Sequence, residues 1–200
     1  MTLEDSEDIA EYVAACALTP HLVEQIVGLA ELPLGDWAIS EAAMRSLGWS
    51  EISDDLPWED TFVTAEGHLA HLGDSLAVSF AHFYWVDSDA WSEDLWGTLP
   101  GWSSQANAAR ELFDGHIDAA IVAFTHRLGP PERDIITADG GTLAMGDGAW
   151  RHAAWRCGKN LLVIGPRHEP LSYYQFEEAI VYIGPIEANT PLPALCDFVS

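Results

Sequence analysis

Two histidines three residues apart, His68 and His71, are the first residues whose type and spacing suggest chemistry. Together with His82 and Asp74 they would supply the imidazole and carboxylate ligands that zinc takes. The chain has no His-Glu-x-x-His motif, however, and a pair of histidines at this spacing is common by chance. We therefore expect exposed or turn histidines here and no metal site.

A second constellation, Cys157, His152 and Asp147, has the residue types of a nucleophile, a base and a group that orients the base. If residues 149–156 form a strand, positions 152 and 157 face opposite sides and do not meet. We expect Cys157 to be a small apolar residue beside a hairpin. With Cys16 and Cys196 it makes an odd, scattered set without Cys-x-x-Cys, which indicates reduced thiols in a cytoplasmic protein.

Glycine clusters at residues 138–142 and 145–148 match neither a phosphate loop nor a dinucleotide fingerprint. The sequence therefore predicts turns there, no cofactor and no enzymatic activity. The alternative kept open is a small hydrolase or metal-dependent enzyme that uses His68, His71 or Cys157.

The most unusual stretch covers residues 46–109, which contain no Lys or Arg but eleven acids and six of the nine tryptophans. The whole chain has a net charge of -24, of which residues 1–100 carry −19. Nucleic acid and anionic membranes are excluded as partners because both require Lys and Arg on the protein. High-salt adaptation also produces acidic proteins, but nine tryptophans and a full apolar core fit it poorly. Simple solubility would explain the net charge but not so long a gap without a cation. We expect a basic protein as partner.

Within this stretch, residues 87–102 alternate carboxylates with tryptophans and form the candidate binding loop. Tryptophans contribute strongly to binding energy, and clustered acids orient a basic partner and speed its association. The competing interpretation is that Trp85, Trp96 and Trp102 cover the domain's own core. We expect the partner-binding residues in this loop and in an acidic turn beside it: Asp87, Asp89, Trp91, Glu93, Asp94, Trp96, Asp54, Asp55, Glu59 and Asp60.

Hydrophobic periodicity predicts the helices and strands that would position this loop. It predicts three short helices: one over residues 9–17, one that starts at Thr19-Pro20, and one that starts at Asp36 or Ser40. A long helix is predicted over residues 103–128 with Ser103 and Ser104 as caps. The predicted strands are 49–52, 61–65, 75–86, 149–156, 161–165 and 176–183, with a hairpin turn at residues 157–160.

These elements indicate a single α+β domain over residues 1–200, in which N-terminal helices precede an antiparallel sheet (βββ-α-βββ) with the long helix packed on one face. Its parts are an N-terminal helical block (1–47), the sheet and long helix (48–183) and a C-terminal tail (184–200). An acidic N-terminus and the lack of an 18-residue apolar run argue against a signal peptide and a membrane span, and so for a cytoplasmic protein.

Short motifs add a resemblance: Leu47-Gly48-Trp49, then Leu128-Gly129-Pro130-Pro131 ahead of Trp155 and residues 161–164. At these motifs the chain resembles small actinobacterial immunity or chaperone-like proteins encoded beside secreted toxins. Its element order over residues 36–183 is similar to that of type III secretion chaperones. The resemblance implies an immunity protein that blocks a cognate toxin, with a chaperone that escorts a client as the alternative, and no catalytic residue.

Overall fold

A computed structural model describes residues 10–34, 36–52, 61–86, 95–137, 150–168 and 176–192. Within these ranges the chain forms four helices and ten strands. The helices are α1 (Pro20–Ala30), α2 (Trp37–Ser46), α3 (Leu95–Thr98) and α4 (Arg110–Leu128). The strands are β1 (Ala10–Cys16), β2 (Ser50–Glu51), β3 (Thr61–Val63), β4 (Leu69–Leu72), β5 (Leu76–Val86), β6 (Trp102–Ala106), β7 (Arg133–Thr137), β8 (Trp150–Cys157), β9 (Asn160–His168) and β10 (Phe176–Pro185).

All ten strands belong to one antiparallel sheet, which together with the helices confirms the α+β class. The sheet runs in the order β2-β3-β4-β5-β10-β9-β8-β7. It also branches: β4 pairs with the first residues of β5 and β1 pairs with its last ones, on the side of β5 away from β10. Strand β6 extends the second branch by pairing with β1.

The predicted order of helices followed by βββ-α-βββ is wrong, because the described chain starts with a strand that pairs in the sheet. Residues 10–16 were expected to be helical but form strand β1, so the described part of the expected helical block contains helices only from Pro20 onward. Residues 103–106, the predicted start of the long helix with its capping serines, belong to strand β6, and α4 begins only at Arg110. Strands β4 and β7 were not predicted. The first two residues of the expected C-terminal tail, Gly184 and Pro185, belong to β10.

Local signals did locate the two short helices correctly. Thr19 caps α1 by accepting a hydrogen bond from the backbone N–H of Leu22 at 3.1 Å, and Asp36 caps α2 in the same way through Ala38 at 3.1 Å. Short polar side chains suit this position because they satisfy the free N–H groups of a helix start. The hairpin between β8 and β9 is also confirmed, with Gly158 at φ 63 in its turn.

The main hydrophobic core joins side chains of α1, α2 and α4 to alternate side chains of the sheet. Leu22, Ile26, Met44, Phe113 and Phe124 are all fully buried in it. A register shift between β5 and β10 leaves Phe80 as an extra residue, so that Phe80 and Ala81 both contact this core. The shift moves His82 to the face that also carries Ser79, and we call this the second face of the sheet. No described helix is long and apolar enough to cross a membrane.

Candidate functional site

The expected interface residues fall mostly outside the described ranges. Only Trp96 is described, in the single-turn helix α3. The residues that lie outside are Asp54, Asp55, Glu59, Asp60, Asp87, Asp89, Trp91, Glu93 and Asp94.

Two acidic segments of the sequence, 53–60 and 87–94, adjoin described strands at opposite ends of strand β5. Segment 53–60 leads into Thr61, which pairs with His71 and through it with Ala77 near the start of β5. Segment 87–94 follows Val86 at the end of β5. Nine residues of extended strand separate Ala77 from Val86, which is about 30 Å. The expectation that the two segments lie side by side is therefore not supported by where they leave the sheet.

Trp96 packs partly against the protein itself. Its ring stacks on the imidazole of His82 with the centroids 3.6 Å apart and the planes 18° apart, and Trp102 lies 5.0 Å away. The side chain is nevertheless only half-buried. One face of the indole is thus occupied by His82, while part of the ring remains accessible.

His82 is buried beneath Trp96, with 1% of its surface exposed. Neither ring nitrogen has a hydrogen-bond partner. Burial lowers the pKa of His82 to about 4; nearby Glu178 opposes this shift, and Arg167 and His71 add to it. A buried polar group without partners destabilises the fold. His82 is therefore a neutral imidazole that the native state holds at a cost.

Glu178 stands opposite His82 on β10 and connects it to an ion pair. Its carboxylate accepts a hydrogen bond from Ser79 Oγ at 2.7 Å and contacts Arg167 at 2.5 Å. Burial raises the pKa of Glu178, but the charge of Arg167 and the bond from Ser79 outweigh it, so that the pKa is lowered. The carboxylate is ionised and fully engaged, which makes it a structural group and not a proton donor.

A second polar cluster joins the two branches of the sheet where β1 ends and β4 begins. His68 donates from Nε2 to the carbonyl oxygen of Cys16 at 3.1 Å, and its Nδ1 lies 3.6 Å from Cys16 Sγ. Burial, reinforced by Glu66, raises the pKa of the Cys16 thiol to about 11. A thiol with so high a pKa is a poor nucleophile. The Cys16–His68 pair therefore braces the fold and does not resemble a catalytic dyad.

Two tight turns lock the same junction. A Cβ on Gly67 would lie 1.9 Å from the carbonyl oxygen of Pro100, and a Cβ on Gly101 would lie 1.9 Å from that of Glu66. Both glycines have positive φ, and the indole of Trp102 donates to the Gly67 carbonyl at 2.8 Å. The turn before β4 and the turn before β6 are thus held in direct backbone contact.

The histidines considered as metal ligands have other contacts. His68 is fully buried at the turn between β3 and β4, and His71 lies in β4 beside Thr61. The expectation of exposed or turn histidines is wrong for His82, which is buried within β5. Within the ranges that the structure describes, no three His, Cys, Asp or Glu side chains are placed to hold a metal. His152 is bonded to the Pro166 carbonyl, whereas Cys157 lies in the main core, and Asp147 is outside the described residues.

Charge is distributed unevenly across the sheet. Strands β1 to β6 contain no Lys or Arg, whereas β7, β8 and β9 contain four arginines. All eight cationic residues are described, and six of them form salt bridges with carboxylates of this chain. These six are Arg45, Arg110, Arg127, Arg151, Arg156 and Arg167. We call strands β1 to β6, with α3, the cation-free half.

Sequence reasoning missed the buried polar groups of the second face. Ser79 and His82 interrupt an otherwise apolar strand, and Glu177-Glu178 does the same in β10. Acids are almost never buried unless they are paired, so a double acid in a core strand was a usable signal for a buried arginine.

Comparison of the chain with protein-family models, with curated proteins and with solved structures finds no match.

Proposed function

We propose that the protein binds a basic partner protein through its cation-free half and neutralises it, as an immunity protein neutralises a cognate toxin. The observation that carries this proposal is the segregation of charge across the sheet. A surface of one sign attracts a partner of the opposite sign and orients it during encounter.

Internal ion pairs strengthen this argument. Arg110 is held by Glu177 at 2.8 Å and by Asp114 at 3.0 Å, and Arg167 is held by Glu178 at 2.5 Å, so both arginines are paired with acids outside residues 46–109. Three of the eleven acids between residues 46 and 109 lie in the part of the chain that the structure describes, and one of these three, Glu51, forms a salt bridge to Arg45 at 2.5 Å. The other eight belong to segments 53–60 and 87–94, which both join strands of the cation-free half. A basic partner would bring positive charge to this acidic part of the sequence.

Trp96 is positioned to add apolar contact to this attraction. It lies two residues after Asp94, and its side chain is half-buried. Its stacking on His82 fixes the ring in advance, which reduces the entropy lost when a partner covers it. Tryptophans placed in this way are frequent among residues that dominate binding energy.

The test compares two variants with the same change of charge. In the first, Asp87, Asp89, Glu93 and Asp94 are changed to Asn or Gln. In the control, Glu31, Asp139, Glu169 and Glu187, which lie outside residues 46–109, are changed in the same way. The basic partner is recovered from native lysate by pull-down, and the affinity of each variant is measured by calorimetry at several salt concentrations.

We expect the first variant to bind about tenfold or more weakly at low salt, with a shallower salt dependence, because charges at the edge of an interface mainly set steering and salt response. The control should change affinity much less. Unchanged affinity and salt dependence in the first variant would contradict the proposal. An activity assay of the partner then separates occlusion from escort, because a chaperoned client would remain active in the complex.

A further inference from the structure

Trp96 is the outer ring of a stack on the second face of the sheet. Its indole lies nearly parallel to the imidazole of His82, with the centroids 3.6 Å apart and the planes 18° apart. Trp102 is almost equally far from both rings, at 5.0 Å from Trp96 and 5.1 Å from His82, so it lies beside the stack and not on its outer end. Since His82 is 1% exposed and Trp96 is half-buried, Trp96 is the ring of the stack that solvent reaches. We call the indole face opposite His82 the outer face of Trp96.

The face of an indole attracts cations, because the ring carries negative charge above its plane, and tryptophan does so more strongly than tyrosine or phenylalanine. The chain already uses such contacts on the main-core side of the sheet. The guanidinium carbon of Arg110 lies 5.5 Å from the ring centroid of Phe83 and 5.1 Å from that of Phe113. None of the guanidinium–ring contacts in the described part of the chain involves Trp96. The chain's own arginines thus leave its outer face to another cation.

The charges around the stack favour a cation that comes from outside. Burial lowers the pKa of His82 to about 4, so no positive charge lies beneath the indole at neutral pH. Arg167, which also acts on His82, is bound to Glu178 at 2.5 Å. Strands β1 to β6 and helix α3 contain no Lys or Arg that could repel an incoming cation.

The guanidinium group of arginine suits this position better than the ammonium group of lysine. It is planar, more weakly hydrated, and stacks on aromatic faces. On the outer face of Trp96 it would continue the stack that His82 begins. Because His82 already fixes the indole, little side-chain entropy is lost when the guanidinium group binds.

We propose that the outer face of Trp96 binds the guanidinium group of an arginine of the basic partner through a cation–π contact. This binding subsite rests on the proposed function for the presence of such a partner. It adds selectivity to the general attraction, because the acids of the cation-free half attract lysine and arginine alike. Trp96 is then the residue that distinguishes arginine from lysine.

Fluorination of the indole tests this contact on the full chain with little change in the shape of the side chain. Each fluorine withdraws electrons from the ring and so weakens its attraction for a cation. Monofluoro-, difluoro- and trifluorotryptophan are introduced at Trp96 alone. The matched control has the same replacements at Trp155, which is 3% exposed in the main core. Urea denaturation verifies that the fluorinated proteins keep the stability of the wild type.

Two synthetic peptides of equal charge serve as probes, one with ten residues of alternating Arg and Gly and one with Lys in place of each Arg. Their affinities are measured by calorimetry at low and moderate salt. We expect the Arg-Gly peptide to bind the wild type about three- to fivefold more tightly than the Lys-Gly peptide. Successive fluorines at Trp96 should remove this difference stepwise, and fluorines at Trp155 should leave both affinities unchanged.

Each contrary outcome has a distinct meaning. An affinity for the Arg-Gly peptide that fluorination at Trp96 does not change would overturn the cation–π subsite and leave the attraction to a basic partner intact. Equal affinities and equal losses for the two peptides would overturn the assignment to arginine. Failure of both peptides to bind at low salt would contradict the proposed function, and the subsite with it.

Discussion

Replacing His82 by phenylalanine should remove a pH dependence of stability that the structure assigns to this residue. The native state holds the imidazole neutral down to its pKa of about 4, because it is buried without a hydrogen-bond partner. In the unfolded chain the same group takes up a proton near pH 6.5. Between these values the unfolded state binds more protons than the native state, so stability falls as pH falls.

The size of this pH dependence follows from the difference between the pKa values of His82 in the native and the unfolded state. Between pH 7.5 and pH 4.5 the free energy of unfolding should fall by about 2.5 kcal/mol through His82 alone. His68, His71, His116 and His152 also have lowered pKa values caused mainly by burial, and they steepen the wild-type curve further. Their contribution is shared by wild type and variant, so the difference between the two proteins isolates His82.

Urea denaturation at pH 7.5, 6.5, 5.5 and 4.5 measures this difference, and the lowest point stays just above the pI of about 4.3. At pH 7.5 His82→Phe should be as stable as the wild type or more so, since phenylalanine keeps an aromatic ring against Trp96 without unpaired nitrogens. At pH 4.5 the variant should gain about 2.5 kcal/mol relative to the wild type. The exposed His126 provides the control His126→Gln, which should leave the curve unchanged. A difference that stays flat within about 0.5 kcal/mol would refute the reasoning, because it would mean that His82 is protonated as easily in the native state as in the unfolded chain.

Three further predictions concern stability at neutral pH. Arg110→Met should cost about 3–5 kcal/mol in urea denaturation, because it leaves the carboxylate of Glu177, 3% exposed, without its counterion. The double variant Arg110→Met/Glu177→Leu should recover most of that loss, and no recovery would argue against a charge effect. Gly101→Ala should cost more than about 2 kcal/mol by the same measurement, since the added Cβ meets a backbone oxygen at positive φ, whereas Gly115→Ala, in open space on α4, should not destabilise. Thr19→Ala should cost about 1 kcal/mol through loss of the α1 cap, and Thr19→Ser, which retains the hydroxyl, should be nearly neutral.

Periodicity alone could not identify β1. Residues 12–16 are apolar on both sides of β1, because Val13 and Ala15 contact the main core while Tyr12 and Cys16 contact a cluster on the second face. A strand buried on both faces lacks the alternation of polar and apolar residues, so its pattern also fits a helix. Capping signals were more reliable, since Thr19 and Asp36 satisfy local backbone groups that do not depend on the rest of the fold.

The start of the long helix was predicted wrongly because a local capping signal was outweighed by strand pairing. Ser103 and Ser104 have the residue type of helix caps, but β1 recruits them into a strand, and α4 starts after Ala109 without a side-chain cap. Pairing over about ninety residues of sequence outweighed the local preference. The buried ion pair of Arg167 with Glu178 depends on the same kind of distant pairing, which a single sequence does not reveal.

The position of β10 has a consequence for how the chain is made. This last described strand lies in the middle of the sheet, between β5 and β9. A ribosome delivers β1 to β6 and β7 to β9 before it delivers the strand that joins them. Until then β5 and β9 each present a long apolar edge, and such edges are aggregation-prone in incomplete chains. The nascent protein thus remains two unjoined sheets until residues 176–185 have been synthesised, and its solubility during translation depends on how soon β10 inserts.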